Sequence, residues 1–552
     1  MKIRNILALV AVSCMLVFAS CKKEKSEIPD HLKIVPANSV MVMTINAKEL
    51  VEKGGLNKYK DFEIYKKFHE EISRYEPEAT KFIDEFLKDT RVTGLDLDKI
   101  YMYLQRVGRY DVFNAFTFGV DDWNKVAKWI NQFHKIISKR GYQLEDGNGY
   151  KTYRLDSDHL LVWDKTKAIL LNVREYDEES LPSFESFLKI DEENSIIANA
   201  DFMGSLKANK DFTFWMPFKR IMELNDGSEE FSMLDKLYGE DWTKASMDIS
   251  LNFTNEKASF SYSILPASLV EKYRKEYPIL KDGFDQSLLN YFPSEFFFAS
   301  KISFNVQEYY KLVVNMLNKL AEEMKSIDDE DYDDYYGYSD YSRMAEVIAM
   351  VTNEDVVKIV SSFKGDLIAD IFGFQEGIIP MPKFGIAVTI DGEEAFNRFL
   401  GLLPKDIEFT KTDSYYSYSI PQVTTFYAGQ RGDVMYITNV KEALDSFFAQ
   451  GYKDNLSSSS IAQVLKDSPL LYSLNLDINK YPVFITSLLR ESVGSMEYNM
   501  LSNFIEPFST LDLVATKNYS AELNLMLKDN KENSLKVLFK AIDRYVNRFM
   551  GF

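Results

Sequence analysis

One arrangement of hydrophobic residues occurs twice in this sequence and constrains the fold more than any other feature. In residues 113–173 a strand pattern is followed by a helix pattern at 121–138 and then by three short strand patterns. Within the helix pattern, apolar side chains recur at steps of three and four residues, as Trp123, Val126 and Ile130 show. Such an order predicts an α+β fold, in which amphipathic helices pack on an antiparallel sheet.

The same order of elements recurs in residues 384–440. Matching positions keep their order along the chain: Pro36 with Pro293, Asp121 with Asp391, Tyr150 with Tyr415, 196–201 with 471–477, and 247–251 with 511–514. A repeat of this length predicts an internal duplication, with one half at 33–270 and the other at 284–552. Two unrelated α+β domains with a similar element order remain the alternative.

Composition excludes several classes of protein. Of the 552 residues, 46% are apolar and 27% are charged, which is typical of a packed globular chain and not of a disordered one. The net charge of −19 disfavours nucleic acid as a partner. Cys14 and Cys21 are the two cysteines, and both lie near the N-terminus, so we expect neither a disulfide framework nor a cysteine-built metal site.

The N-terminus has the pattern of a lipoprotein signal peptide. Lys2 and Arg4 precede an apolar segment at 6–20, which is too short to span a bilayer core of about 30 Å. Residues 16–21 read Leu-Val-Phe-Ala-Ser-Cys, which resembles the lipobox of bacterial lipoproteins. We therefore predict a signal peptide at 1–20, lipidation of Cys21, for example by palmitate, and a tether at 21–32. Cleavage before Cys14 instead of Cys21 would leave too short an apolar segment. An ordinary secretory signal peptide is the alternative interpretation of this segment.

Motifs for catalysis or cofactor binding are absent from the sequence. It contains no G-x-S-x-G, no P-loop and no G-x-G-x-x-G, and its four histidines lack metal-ligand spacing. We expect His31 to lie in the tether, and His69 and His134 on solvated helix faces. His159 follows Asp156 and Asp158, and is the histidine we expect to find a carboxylate partner. We accordingly predict no catalytic residue, no cofactor and no metal.

Two further segments allow more than one interpretation. The acidic, tyrosine-rich segment 327–342 is predicted to be a solvated loop, with calcium binding as the alternative because Asp329, Asp331 and Asp333 alternate. The aromatic residues Phe212, Phe214, Trp215 and Phe218 are expected to fill the core, although exposed aromatic rings could also stack on sugars.

Three motifs carry a resemblance to a known family: the lipobox, Pro36-Ala37-Asn38-Ser39 and Phe363-Lys364-Gly365-Asp366. Together they resemble a family of uncharacterised cell-envelope lipoproteins from Bacteroidota, known as a domain of unknown function. The resemblance implies a location in the cell envelope and no residues of known role. In that phylum, surface lipoproteins tend to carry an acidic run after the cysteine, whereas residues 22–27 hold three lysines and two glutamates. The resemblance therefore implies an outer-membrane anchor that faces the periplasm.

The sequence as a whole predicts a lipid-anchored, non-enzymatic protein with a binding or assembly role. Its expected partners are the membrane, through the anchor, and an unknown envelope protein or glycan. A glycan-binding surface lipoprotein is the first alternative. A carboxylate-based hydrolase is the second, because paired acidic side chains can cleave glycosidic bonds without histidine.

Overall fold

The computed structural model describes residues 28–107, 111–137, 144–156, 158–172, 184–224, 242–281, 283–328, 337–375, 380–401, 409–516 and 520–549. The chain divides into two compact units. Unit 1 comprises Met1–Pro266, Asn499–Pro507 and Met526–Phe552, and unit 2 comprises Ala267–Tyr498 and Phe508–Leu525. No helix among the described residues is both long and apolar enough to cross a membrane.

The strands are β1 Met41–Ile45, β2 Leu95–Val107, β3 Asp111–Val120, β4 Leu144–Asp146, β5 Lys151–Arg154, β6 His159–Trp163, β7 Lys167–Asn172, β8 Phe212–Pro217, β9 Ser246–Phe253, β10 Lys257–Leu265, β11 Phe298–Ser303, β12 Phe363–Gln375, β13 Met381–Ile390, β14 Thr410–Lys411, β15 Tyr415–Ile420, β16 Thr424–Arg431, β17 Val434–Thr438, β18 Leu470–Asn475, β19 Phe508–Ala515 and β20 Ala521–Leu527.

The helices are α1 Asp30–Lys33, α2 Ala47–Gly54, α3 Glu63–Tyr75, α4 Pro77–Lys88, α5 Trp123–Ile137, α6 Phe184–Leu188, α7 Ala200–Lys207, α8 Phe218–Leu224, α9 Ala267–Glu276, α10 Val306–Asp328, α11 Gly337–Val351, α12 Glu354–Ser361, α13 Gly392–Gly401, α14 Lys441–Phe448, α15 Ala462–Asp467, α16 Val483–Val493, α17 Ser495–Ile505 and α18 Ser534–Phe549.

The strands of unit 1 form an antiparallel sheet in the order β4-β5-β6-β7-β3-β2-β1-β8-β9-β10. The strands of unit 2 follow the order β14-β15-β16-β17-β13-β12-β11-β18-β19-β20. Each strand of unit 1 therefore has a counterpart ten strands later, in the same place in its sheet. The α+β prediction is confirmed, and the common order is what an internal duplication requires.

Strand register identifies equivalent residues in the two units. Val42 pairs with Tyr103 on one side and Trp215 on the other, whereas Ala299 pairs with Asp370 and Ser473 at the matching place. The predicted match of Pro36 with Pro293 agrees with this register, because each proline forms an isolated bridge, to Ser195 and Asn455 respectively. The match of 196–201 with 471–477 is wrong, because Ile196–Ala198 is a 3-10 helix and Leu470–Asn475 is a strand.

Unit 1 has a packed core on each face of its sheet. One face carries Ile45, Ile100 and Phe118, and helix α5 covers it through Trp129 and Ile130. The opposite face holds a second cluster, which comprises Val42, Tyr101, Tyr103, Phe202 and Trp215 among others. In unit 2 the larger cluster corresponds to this second face, through Ala299, Ile368 and Tyr436.

The structure differs from the predicted boundaries in several places. Residues 267–270, assigned to the first half, belong to unit 2, and residues 499–507, assigned to the second half, belong to unit 1. Residues 30–32, expected in the tether, belong to helix α1, where His31 and Leu32 are buried in the protein. Residues 526–552, assigned to the second half, belong to unit 1 because the apolar side of α18 packs there. The predicted loop at 327–342 is helical at both ends, in α10 and α11, and its centre lies outside the described residues.

Candidate functional site

Unit 1 contains a cavity of about 540 Å³, which is within the size range of small-molecule sites. Five segments contribute its described lining. These residues are Pro36, Ala37, Asn38, Tyr103, Gln105, Ser186, Phe187, Ile190, Asn194 and Arg220. We call this cavity the Arg220 pocket.

Backbone pairing before β1 builds one wall of the Arg220 pocket. Ser39 donates its backbone N–H and its hydroxyl to the Pro36 carbonyl, at 3.2 and 2.7 Å, which closes a tight turn over residues 36–39. The Ala37 N–H donates to the Asn194 carbonyl at 2.7 Å, and this bond holds the turn against the 3-10 helix Glu192–Asn194. The turn therefore places Asn38 at the cavity.

The rest of the lining combines aromatic and planar polar side chains. Phe187 of α6 contacts Phe113 edge-on at 6.3 Å between ring centroids, and Phe113 in turn contacts Tyr103 at 5.8 Å. Gln105 Nε2 donates to Asn38 Oδ1 at 3.2 Å. The pocket is thus lined by an aromatic ring beside two side-chain amides that already form a hydrogen bond.

Arg220 supplies the positive charge of the pocket. Its Nη1 donates to Glu223 Oε2 at 2.7 Å within helix α8, and Arg106 donates to the Glu223 carbonyl. Among the described residues that line the pocket, none carries a carboxylate. Guanidinium, amide and hydroxyl groups can bind a polar ligand, but they do not provide the acid and base that hydrolysis needs.

Three of the four histidines each form a side-chain hydrogen bond with one partner in the structure. His31 is buried, in contrast to our expectation, and lies 3.0 Å from the Lys99 carbonyl through Nε2. Burial lowers the pKa of His31 to about 4. His159 Nδ1 lies 3.0 Å from Asp156 Oδ1, as we expected, and the hydrogen bond that His159 donates to this carboxylate raises the pKa of His159. His134 bonds to the Tyr153 hydroxyl rather than facing only solvent.

His69 lies in a serine–histidine–aspartate row that sequence reasoning missed. Ser73 Oγ is 3.3 Å from His69 Nδ1, and His69 Nε2 is 3.2 Å from Asp84 Oδ2. Ser73 lies inside helix α3, where backbone N–H groups bond to carbonyls four residues earlier. Such a serine has no adjacent pair of backbone donors for an oxyanion, so the row lacks a central part of an acyl-transfer site.

The hydrolase alternative would need two carboxylates with separated pKa values. Burial, and then the neighbouring Asp96, raise the pKa of Asp98 to about 6. Asp96 Oδ1 accepts the Asp98 backbone N–H at 3.1 Å, which is a local turn that positions both residues. This pair lies at a bulge in β2 and does not line the Arg220 pocket.

Cys21, the predicted lipidation site, lies outside the described residues, as does the centre of the acidic segment. Among the residues that the structure does describe, no group of acidic, histidine or cysteine side chains is arranged to hold a metal ion. The aromatic residues on strand β8 lie on both faces of the sheet, because successive side chains of a strand point to opposite faces. Trp215 is buried in the core, whereas Phe212 and Phe214 are only partly buried on the opposite face.

Comparison with known families places residues 31–535 in a domain of unknown function, DUF4836. The chain belongs to the DUF4836 family. No curated protein matches it. A solved structure, crystal form I of TP0453, aligns with a TM-score of 0.21 and 8% identity over 46% of this chain and 88% of that one. A likeness this weak carries no argument about fold or function.

The Arg220 pocket of this DUF4836 protein could not be identified from the sequence. Its lining residues extend from Pro36 to Arg220, and only the folded sheet brings these segments together. The motif Pro36-Ala37-Asn38-Ser39 carries part of the family resemblance, which implies no role in binding for these residues. It is the one sequence signal that pointed to this region.

Proposed function

We propose that this DUF4836 protein is a non-enzymatic binding protein of the cell envelope, anchored to the outer membrane by lipid on Cys21 and facing the periplasm. The observation that supports a binding role is the Arg220 pocket, whose described lining offers amides, a guanidinium and an aromatic ring but no carboxylate. The sequence pattern before Cys21 supports the anchor.

Replacing Cys21 by serine tests the anchor. Multiple acyl chains hold a soluble domain stably at a membrane, so the wild-type chain should incorporate a labelled fatty acid and remain with the membrane fraction. The Cys21→Ser protein should lose both properties, whereas Cys14→Ser should keep them. Labelling and membrane retention of the Cys21→Ser protein would show that the anchor is wrong.

Protease treatment of intact cells tests the direction that the anchored protein faces. A protein that faces the periplasm is protected by the outer membrane and should be degraded only after the cells are permeabilised. Rapid degradation on intact cells would place the protein on the surface.

A glycan is the ligand class that the pocket favours among polar molecules. Asn38, Gln105 and Asn194 present amide groups that both donate and accept hydrogen bonds, as sugar hydroxyls require, and Phe187 offers a ring face for stacking. Envelope glycans are therefore the second, more specific candidate.

A glycan panel titrated into residues 22–552 tests this candidate. We expect at least one glycan to raise the melting temperature, and Arg220→Gln or Phe187→Ala to weaken its binding about tenfold, a loss of roughly 1.4 kcal/mol. Arg398→Gln is the matched control, because Arg398 forms a similar helical ion pair with Glu394 in unit 2. Equal binding by Arg220→Gln and Arg398→Gln would exclude the pocket as the site.

A further inference from the structure

The guanidinium group of Arg220 keeps two of its donor nitrogen atoms available for a ligand. Its Nη1 donates to Glu223 Oε2 at 2.7 Å, whereas Nε and Nη2 form no hydrogen bond within the part of the chain that the structure describes. The Arg220 side chain is 36% exposed and lines the Arg220 pocket, so a ligand in the cavity can reach it. We call these two donor atoms the Nε–Nη2 edge.

The Nε–Nη2 edge has the geometry that a carboxylate requires. Its two N–H groups are parallel, so they match the two oxygens of a carboxylate in a planar arrangement with two hydrogen bonds. The chain contains an example of this arrangement, because Nε and Nη2 of Arg91 donate to Oδ1 and Oδ2 of Asp89 at 2.8 and 3.0 Å. A ligand carboxylate can bind Arg220 in the same way without displacing Glu223.

The charge of the lining favours a ligand group with a single negative charge. Acidic residues outnumber basic ones by 84 to 65 in the chain, yet the described lining holds one arginine and no carboxylate. Glu192 and Glu193 lie on the 3-10 helix that carries Asn194, but neither lines the cavity. Because Arg220 already shares its charge with Glu223, it matches a carboxylate better than the nearly double charge of a phosphate.

The amide groups of the lining suit the hydroxyl groups of a sugar. The hydrogen bond from Gln105 Nε2 to Asn38 Oδ1 leaves Gln105 Oε1 and Asn38 Nδ2 without a partner among the described residues. Asn194 forms backbone hydrogen bonds with Asp191 and Ala37, and its side-chain amide forms none within the described chain. Sugar hydroxyls both donate and accept, so they can bind each of these amide groups.

We propose that the ligand of the Arg220 pocket is an acidic sugar whose carboxylate binds the Nε–Nη2 edge. This inference rests on the glycan candidate of the proposed function and makes that candidate more specific. Arg220 holds the carboxylate, and Asn38, Gln105 and Asn194 bind the ring hydroxyls. The cavity of about 540 Å³ is large enough for a sugar with its substituents.

Pairs of sugars that differ only at C6 test the proposal. Methyl β-glucuronide and methyl β-galacturonide carry a carboxylate at this carbon, whereas methyl β-glucoside and methyl β-galactoside carry a hydroxymethyl group. Each sugar is titrated with residues 22–552 and followed by ligand-observed NMR. We expect at least one acid to bind about tenfold more tightly than its neutral partner, because the acid alone pairs with the guanidinium group.

Variants of Arg220 show whether this preference depends on the Nε–Nη2 edge. Arg220→Gln should reduce the affinity for the acid to that of its neutral partner and leave the neutral sugar within about twofold of its wild-type affinity. Arg220→Lys keeps the charge but loses the two parallel donors, so its affinity for the acid should lie between those of the wild type and Arg220→Gln. Arg398→Gln is again the matched control and should bind both sugars as the wild type does. Circular dichroism checks that each variant is folded.

Four outcomes would overturn the proposal. Equal binding of acid and neutral sugar in both pairs would show that the pocket takes glycans without an acidic group, which leaves the proposed function unaffected. A preference for the acid that persists in Arg220→Gln would place the carboxylate elsewhere. Tighter binding of glucose 6-phosphate than of either uronide would assign the Nε–Nη2 edge to a phosphate. Binding of no sugar at all would contradict the glycan candidate as well.

Discussion

Asp370 is a buried carboxyl group in the core of unit 2 and makes folding of that unit sensitive to pH. It is 1% exposed, and within the described chain neither carboxyl oxygen has a hydrogen-bond partner. Burial raises the pKa of Asp370 well above its ordinary value. Above about pH 4 the unfolded chain releases this proton and the folded chain retains it, so stability falls as the pH rises.

We expect Asp370→Asn to stabilise the protein at pH 7 by about 1–3 kcal/mol and to have little effect near pH 3, as measured by urea unfolding. Asp512→Asn is the control, because Asp512 is equally buried but accepts a hydrogen bond from Ser473 Oγ at 2.6 Å. That variant should not gain stability. A loss of stability in Asp370→Asn at neutral pH would contradict the argument.

His31 has the opposite effect on unit 1. Its pKa is lowered to about 4 by burial, so between about pH 6.5 and pH 4 the unfolded chain binds a proton that the folded chain does not. Stability should therefore fall by about 2–3 kcal/mol as the pH drops through this window. His31→Gln should make the loss much smaller, while His159→Gln, at a partly exposed site where the pKa is raised, should not. Unfolding curves at several pH values measure both effects.

Helix α18 lies in unit 1 although the sequence assigned it to the second half, and its packing explains its position. Phe539 contacts the end of helix α2, where a Cβ on Gly54 would lie 2.8 Å from its ring, and it meets Phe62 edge-on at 6.4 Å. We expect Phe539→Ala to cost about 2–3 kcal/mol in unfolding free energy. Arg544→Ala, at an exposed position of α18, should cost less than about 0.5 kcal/mol. Similar losses in both variants would show that α18 does not depend on this contact.

Elements with strong local patterns could be predicted from the sequence, and the positions that depend on the whole sheet could not. The spacing of Trp123, Val126 and Ile130 predicted α5. The structure adds that Asp122 caps this helix, because its Oδ1 accepts the N–H groups of Asn124 and Lys125. The match of residues 196–201 with 471–477 is wrong because Ser195 caps a 3-10 turn there, whereas Leu470–Asn475 is a strand. The Arg220 pocket depends on strand register, which local patterns do not specify.

The whole chain is organised as two units with one strand order, and this supports a proposed internal duplication. Asp248 and Asp512 hold matching positions. Asp248 pairs with Trp215, which pairs with Val42. Asp512 pairs with Ser473, which pairs with Ala299. Side chains differ at other matching positions. Thr44 corresponds to Lys301, which is buried and donates to the carbonyls of Leu465 and Ser468 at the end of α15.

After a duplication, side chains change more readily than the order of the strands. Divergence would therefore leave matching positions that carry different side chains. We expect an experimental structure to show β1–β10 superposing on β11–β20 in chain order, with α5 and α13 on the same side of their sheets. Asp121 and Asp391 should coincide, since each donates its N–H to the carbonyl of the residue shortly before β2 or β12, Gly94 and Ser362 respectively. A superposition that requires permuted strands, or that places α5 and α13 on opposite sides, would instead support two unrelated domains that share an element order.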